Sequence, residues 1–175
     1  MPRDEGQLTL ELDRVRTPAE LTELVDDVFE DPQARRGLGW TEADDIEEAM
    51  ASIRWLFDHR YEKGWQLYEV RADDERAGIA GLGPVEDGEA WWAVYLTVRG
   101  RGLGQRVGEQ LIARAEREGA REVVAATWAR NGASRRMLET LGFDDVGPAT
   151  YEWAEDSQLT WIEYRRELAP GEASA

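Results

Sequence analysis

Residues 94–112 read VYLTVRGRGLGQRVGEQLI. A β-prone apolar run gives way after Val98 to a burst of arginine and glycine, and the pattern then becomes helical. Leu103, Val107, Leu111, Ile112 and Ala115 define one helix face, which ends near Gly119. Glu122–Trp128 follows as a short apolar strand of the kind found inside sheets. A strand, a crossover helix and a second strand leave the chain few options. Such crossovers are right-handed in nearly all folds, so the strands at 89–98 and 122–128 must run parallel, adjacent or with one strand between.

The flanking segments build around that unit. Residues 8–16 alternate apolar and polar, as a strand does. Thr17-Pro18-Ala19-Glu20 is a helix start with a capping box, and Leu21, Leu24, Val25, Val28 and Phe29 form its inner face. Pro32 ends this helix, and a linker through Gly37 and Gly39 is expected. Thr41 is expected to cap a second helix with Ile46, Met50, Ile53 and Phe57 as its stripe, closed by Gly64. Runs at 65–71, 77–85 and 89–98, with turns at Asp73-Asp74 and Asp87-Gly88, predict an antiparallel meander. Ser134–Leu141 is a short helix, with Gly142 as a left-handed cap and Phe143 folding back on it. Strands at about 149–155 and 159–167 complete the order β-α-α-β-β-β-α-β-α-β-β. The expected class is α/β (α+β): a mixed, mostly antiparallel sheet of about seven strands flanked by about four helices. The 175 residues, 42% hydrophobic, suit one domain, with 1–7 and 169–175 as flexible tails.

Composition removes several function classes. There is no cysteine, hence no disulfide, thiolate metal site or cysteine nucleophile. No metal site is expected. Asp and Glu number 37 against 21 Lys and Arg, a net charge of −16, which argues against nucleic acid as the main partner. An acidic field favours a cationic ligand, although such charge also serves solubility alone. The N-terminus lacks an apolar signal region and nowhere do about 18 apolar residues run together, so a cytoplasmic protein with no membrane partner is expected.

The glycine-rich turn can be read in more than one way. A dinucleotide fingerprint would need a third glycine where Gln105 stands and an acid at the end of the next strand, whereas Glu122 begins it. A Gly-Lys-Ser/Thr phosphate loop is absent. Gly100, Gly102 and Gly104 are more glycines than a plain strand-to-helix turn requires. They suit close approach of backbone N–H groups to an anion, with Arg99, Arg101 and Arg106 nearby.

The run Arg99-Gly100-Arg101-Gly102-Leu103-Gly104 resembles the Arg/Gln-x-x-Gly-x-Gly/Ala signature of the GNAT superfamily of acyl-CoA-dependent N-acyltransferases. Asn131–Phe143, an Asn-led short helix ending in Leu-Gly-Phe, is similar to the family's second signature. The element order resembles that fold over about residues 8–167. The resemblance implies acetyl-CoA as cosubstrate. Its pyrophosphate would sit on the N–H groups of Gly100, Arg101, Gly102, Leu103, Gly104 and Gln105, flanked by Arg99. Its pantetheine would run along Trp92, Ala93 and Val94 and beside Asn131. The strand is then expected to end near Val94, with 95–98 as a bulged exit.

The implied chemistry is N-acetylation of a primary amine on a small molecule or peptide N-terminus. The alternative is a non-catalytic acyl-CoA sensor or assembly module, since Leu138 and Ala126 stand where many members carry a catalytic Tyr and Glu. The spacing of Asn131 and Ser134 looks like the branch that acetylates ribosomal-protein N-termini. Ser134 is therefore a candidate donor to the leaving thiolate, or else a helix cap. Glu89 is the candidate general base, or else a strand-end surface acid. His59 is expected at a solvent-facing helix end. Trp40 with Glu42, Asp44, Asp45, Glu47 and Glu48 reads either as a pocket for a cationic amine or as a solvated helix face. The last strands could pair across a homodimer.

Overall fold

The computed structural model describes residues 8–154 and 159–169. The expected tail 1–7, residues 170–175 of the expected tail 169–175, and residue 155 of an expected strand lie outside these residues. Seven strands form one sheet in the order β1-β2-β3-β4-β5-β7-β6. They are β1 (Leu10–Arg14), β2 (Gln66–Ala72), β3 (Glu75–Leu82), β4 (Glu89–Leu96), β5 (Glu122–Trp128), β6 (Asp144–Ala149) and β7 (Trp161–Glu167). Among the described residues only β4 and β5 pair in parallel, as the crossover requires.

The helices are α1 (Pro18–Phe29), α2 (Pro32–Gly37), α3 (Ile46–Glu62), α4 (Leu103–Arg117) and α5 (Gly132–Thr140). Thr17 caps α1 by accepting from the Glu20 amide at 3.2 Å, and Glu20 reaches back to the Arg16 amide at 2.8 Å. Three expectations are corrected. The segment after Pro32 is a helix, not a linker, because Asp31 accepts from the Gln33 amide and Pro32 presets the first turn. Asp45, not Thr41, caps α3, and Thr41 is instead bound to the Asp44 carboxylate. The strand expected at 149–155 is β6 at Asp144–Ala149, followed by a single 3₁₀ turn at Glu152–Ala154.

The turns hold as expected. Asp73-Asp74 and Asp87-Gly88 both have positive φ, as two-residue hairpin turns need. Gly142 is left-handed, and Phe143 folds back to lie 5.0 Å from the Trp92 ring.

Alternation along the strands gives the sheet two apolar faces. Val70, Ala80, Leu82, Ala90 and Trp92 pack under α4 and α5 with Val107, Leu111 and Leu138. Leu67 and Ile79 pack under α1 and α3 with Leu24, Phe29, Ile53 and Phe57. α4, with its glycine turn, and α3 therefore lie on opposite sides of the sheet.

Gly78 is the tightest point of this frame. A Cβ there would sit 2.2 Å from the Tyr95 carbonyl oxygen, which is backbone of the neighbouring strand and cannot yield. Gly78→Ala is expected to cost about 3 kcal/mol, or roughly 6–12 °C in Tm, by calorimetry.

Candidate active site

β4 and β5 meet only at Glu89, Ala90 and Trp91, opposite Glu122, Val123 and Val124. Beyond Trp91 the strands part: β4 stays with β3 through Leu96, and β5 stays with β7 through Trp128. β4 thus continues past Val94, and the expected bulged exit does not occur before Leu96. The Gly83 amide donates to the Trp91 carbonyl at 2.7 Å and the Thr97 amide to the Ala77 carbonyl at 2.9 Å. By alternation Ala93 also spends its backbone on β3. Trp92 and Val94 turn theirs towards the gap, where no strand answers.

A cleft of about 1120 Å³ occupies this gap. It is bounded by α3 on one face of the sheet and by Ser134, Met137 and Leu138 of α5 on the other. Seven of the eight tryptophans line it: Trp40, Trp55, Trp65, Trp91, Trp92, Trp153 and Trp161. An aromatic chain crosses one wall. Tyr151 meets Trp91 edge-on at 5.5 Å and stacks on Trp153 at 5.1 Å, and Trp153 meets Trp161 at 4.8 Å.

The glycine turn adjoins the cleft through Met137, since a Cβ on Gly104 would lie 2.6 Å from the Met137 sulfur. Gly100, Arg101 and Gly102 all have positive φ, and a Cβ on Gly100 or Gly102 would meet nothing within 4 Å. Leu103 donates its N–H to the Gly100 carbonyl and is buried in the core. Among the described residues no acceptor faces the N–H groups of Arg101, Gly102, Gly104 and Gln105. The turn therefore offers a set of free donors at a helix N-terminus, as an anion site does. Its arginines are held by the chain itself: Arg99 by Asp31 at 3.2 Å, Arg101 by Asp73 at 2.9 Å, Arg106 by the Leu8 carbonyl at 2.9 Å. They soften the acidic field there rather than point free guanidinium groups into the turn.

Asn131, not Ser134, is the helix cap: its side chain accepts from the Ser134 amide at 3.2 Å. The Ser134 hydroxyl has no hydrogen-bond partner among the described residues, and Ser134 lines the cleft. Glu89 is elsewhere. Its carboxylate takes the Arg165 guanidinium at 2.9 Å and the Trp91 indole N–H at 3.0 Å, and it borders a separate hollow with Arg121 and Glu122. Glu89 does not line the cleft, and its carboxylate is held by a cation from β7. Asp44 and Glu48 lie at the cleft margin, whereas Glu42, Asp45 and Glu47 do not. The Thr41 amide and hydroxyl hold the Asp44 carboxyl below its ordinary range. His59 is exposed and stacks on Trp55 at 5.3 Å.

One pair escaped the sequence reading. The Tyr151 hydroxyl, at the cleft, donates to Glu163 Oε2 at 2.9 Å, and Arg165 holds Glu163 Oε1 at 2.6 Å. Burial first, then the Glu163 carboxylate, push the Tyr151 phenol well above its usual pKa. Tyr151 fell within the strand expected at about 149–155, where nothing local marks its hydroxyl, and its partner is 12 residues on.

The comparisons agree with this architecture. The sequence profile of the acetyltransferase (GNAT) domain matches residues 9–144, and the chain belongs to that family. Solved structures share the fold at low identity. RimL, the ribosomal L7/L12 alpha-N-protein acetyltransferase in complex with coenzyme A, is 19% identical with a TM-score of 0.66, covering 91% of this chain and 94% of that one. An acetyltransferase from Thermus thermophilus is 23% identical with a TM-score of 0.66, covering 91% and 97%. The protein yncA from Salmonella typhimurium, with its cofactor acetyl-CoA, is 21% identical with a TM-score of 0.61, covering 96% of each chain. No curated protein sequence matches the chain. Among the described residues no group of acidic or histidine side chains is placed to hold a metal ion, and no helix is long and apolar enough to cross a membrane.

Proposed function

We propose that the chain moves an acetyl group from acetyl-CoA to a primary amine of a small molecule or a peptide N-terminus. The observation that carries this reading is the parted pair of strands beside a turn of free N–H donors. Trp92 and Val94 can hydrogen-bond an extended pantetheine arm and receive the oxyanion that forms at the thioester carbonyl. The N–H groups of Arg101, Gly102, Gly104 and Gln105 can take the pyrophosphate.

The amine nitrogen attacks the carbonyl carbon and the carbon–sulfur bond then breaks. Tyr151 accepts the amine's proton as its own passes to Glu163, and the Ser134 hydroxyl donates to the departing thiolate sulfur. Glu89 acts as a positioning residue, anchoring the Arg165 that holds Glu163. Calorimetry with acetyl-CoA and thiol release over a panel of amines test the reading. No binding at about 1 mM, a level that would catch even weak ligands, would sink it. Binding with no thiol released from any amine would favour the sensor alternative.

Ser134→Ala is expected to lower kcat roughly 10-fold, as loss of a hydrogen bond to a charged group does, with acetyl-CoA affinity and Tm unaltered. Tm is spared because Asn131 supplies the cap. An unchanged kcat would remove Ser134 from the reaction.

A further inference from the structure

Two buried side-chain nitrogens lack any hydrogen-bond partner among the described residues: Arg60 Nη1 and Trp161 Nε1. Both residues line the cleft. Both atoms are donors, and a buried donor left unpaired is rare because it is costly. Trp161 is 4% exposed, so solvent does not readily serve it. A ligand in the cleft could bring the acceptor atoms that these two donors lack.

Arg60 narrows what that ligand is. The chain has 37 acidic residues, yet no carboxylate pairs with Arg60 among the described residues. Its neighbour on the same helix, Arg54, is paired with Asp26 at 2.6 Å. The Arg60 guanidinium carbon lies 4.7 Å from the Trp65 ring centre and 5.2 Å from that of Phe57, so the two rings hold the cation in place. A guanidinium held by ring contacts and without a carboxylate partner can bind a planar oxyanion in a two-pronged way. Lys63 and His59 border the same part of the cleft, at the C-terminal end of α3.

This oxyanion is not the cosubstrate's pyrophosphate. Arg60 lies on α3, and the glycine turn opens α4 on the opposite face of the sheet. The acidic margin is distant as well. Glu48 and Arg60 are twelve residues apart on α3, about 18 Å at about 1.5 Å per residue. The acceptor side of the cleft is thus negative at one end and positive at the other, with aromatic walls between.

We infer that the acceptor is a small amino acid-like molecule, carrying a carboxylate that Arg60 binds as well as the amine that is acetylated. The inference rests on the acetyl-transfer reading and specifies its substrate. Arg60 selects by charge, and the Trp161 indole adds a donor to the acceptor molecule's oxygen atoms. A bare amine leaves Arg60 unpaired and binds less tightly.

The test is thiol release at saturating acetyl-CoA with a panel of amino acids, each beside its carboxamide and its decarboxylated amine. The wild-type chain is expected to favour the acid at least tenfold in kcat/KM for the best member. Arg60→Gln should bring that ratio close to one, mainly through KM, and Arg60→Lys should restore part of it. Equal rates for acid and amide in the wild type, or an undiminished preference in Arg60→Gln, would overturn the inference while leaving acetyl transfer intact. Should no amine release thiol, the acetyl-transfer reading fails, and binding decides this one. N-acetyl amino acids should then raise the wild-type Tm more than their amides do, and not in Arg60→Gln; equal shifts overturn it.

Discussion

Gly102→Asp is expected to give a folded protein that binds acetyl-CoA at least about 100-fold more weakly, a loss of about 2.8 kcal/mol at about 1.4 kcal/mol per decade. Gly102 is the N-cap of α4, with φ +65 and ψ 20. Aspartate is one of the few residues that tolerates this left-handed backbone, and a negative charge at a helix N-terminus is favourable. A Cβ at Gly102 meets nothing within 4 Å, so the new side chain has room. The fold should therefore survive with a Tm change of only a few degrees. The carboxylate would stand where the turn's free N–H groups converge and would repel a pyrophosphate there. Calorimetry and a thermal melt separate the two effects. Retained affinity would show the turn to be a strand-to-helix connection only. A collapse in Tm would show that its shape, not its charge, is what matters.

Tyr151→Phe is expected to lower kcat about 100-fold, within the usual range for loss of a positioned proton acceptor, and to leave the Kd for acetyl-CoA unaltered. Phenylalanine keeps the ring contacts to Trp91 and Trp153, so the wall is preserved and only the hydroxyl is lost. The same residue shapes alkaline stability. The Tyr151 pKa is raised in the folded state, burial being the larger cause, so the folded chain holds this proton more tightly than the unfolded one. Its contribution is complete below the ordinary tyrosine value of about 10 and is lost as pH rises through the folded value. Melts above about pH 10 should therefore show wild type losing stability faster than Tyr151→Phe. An undiminished kcat in the variant would remove the Tyr151–Glu163 relay from the reaction.

The frame was legible in the sequence wherever a local rule decides it. The two-residue turns and the Gly142–Phe143 cap each depend on residues a few positions apart, and the crossover on a helical period between two apolar runs. The short helix α2 escaped because six residues give no period to read. The cap of α3 was misplaced because Thr41, Asp44 and Asp45 all suit the task, and only the backbone path decides among them.

The candidate site was legible in its glycine turn and Asn-led helix, and not in the groups that meet across the sheet. Glycine spacing and the Asn-led helix are local patterns, so the turn and Ser134 stood out. That Trp92 and Val94 face the gap while Ala93 does not is a matter of strand register. The surroundings of Glu89 were not legible, because its partner Arg165 is 76 residues away. The neighbouring placement of β5 and β7 brings the two together. Arg60 carried no signal in the sequence at all, since what marks it is a missing partner.

The aromatic lining has a spectroscopic meaning. In most proteins tryptophan emission averages over the whole chain. Here only Trp128 stands outside the cleft, so nearly all of the indole emission arises around one cavity. The intrinsic fluorescence of this protein is a built-in optical probe of whatever enters that space, and it reports on the cleft before it reports on the fold.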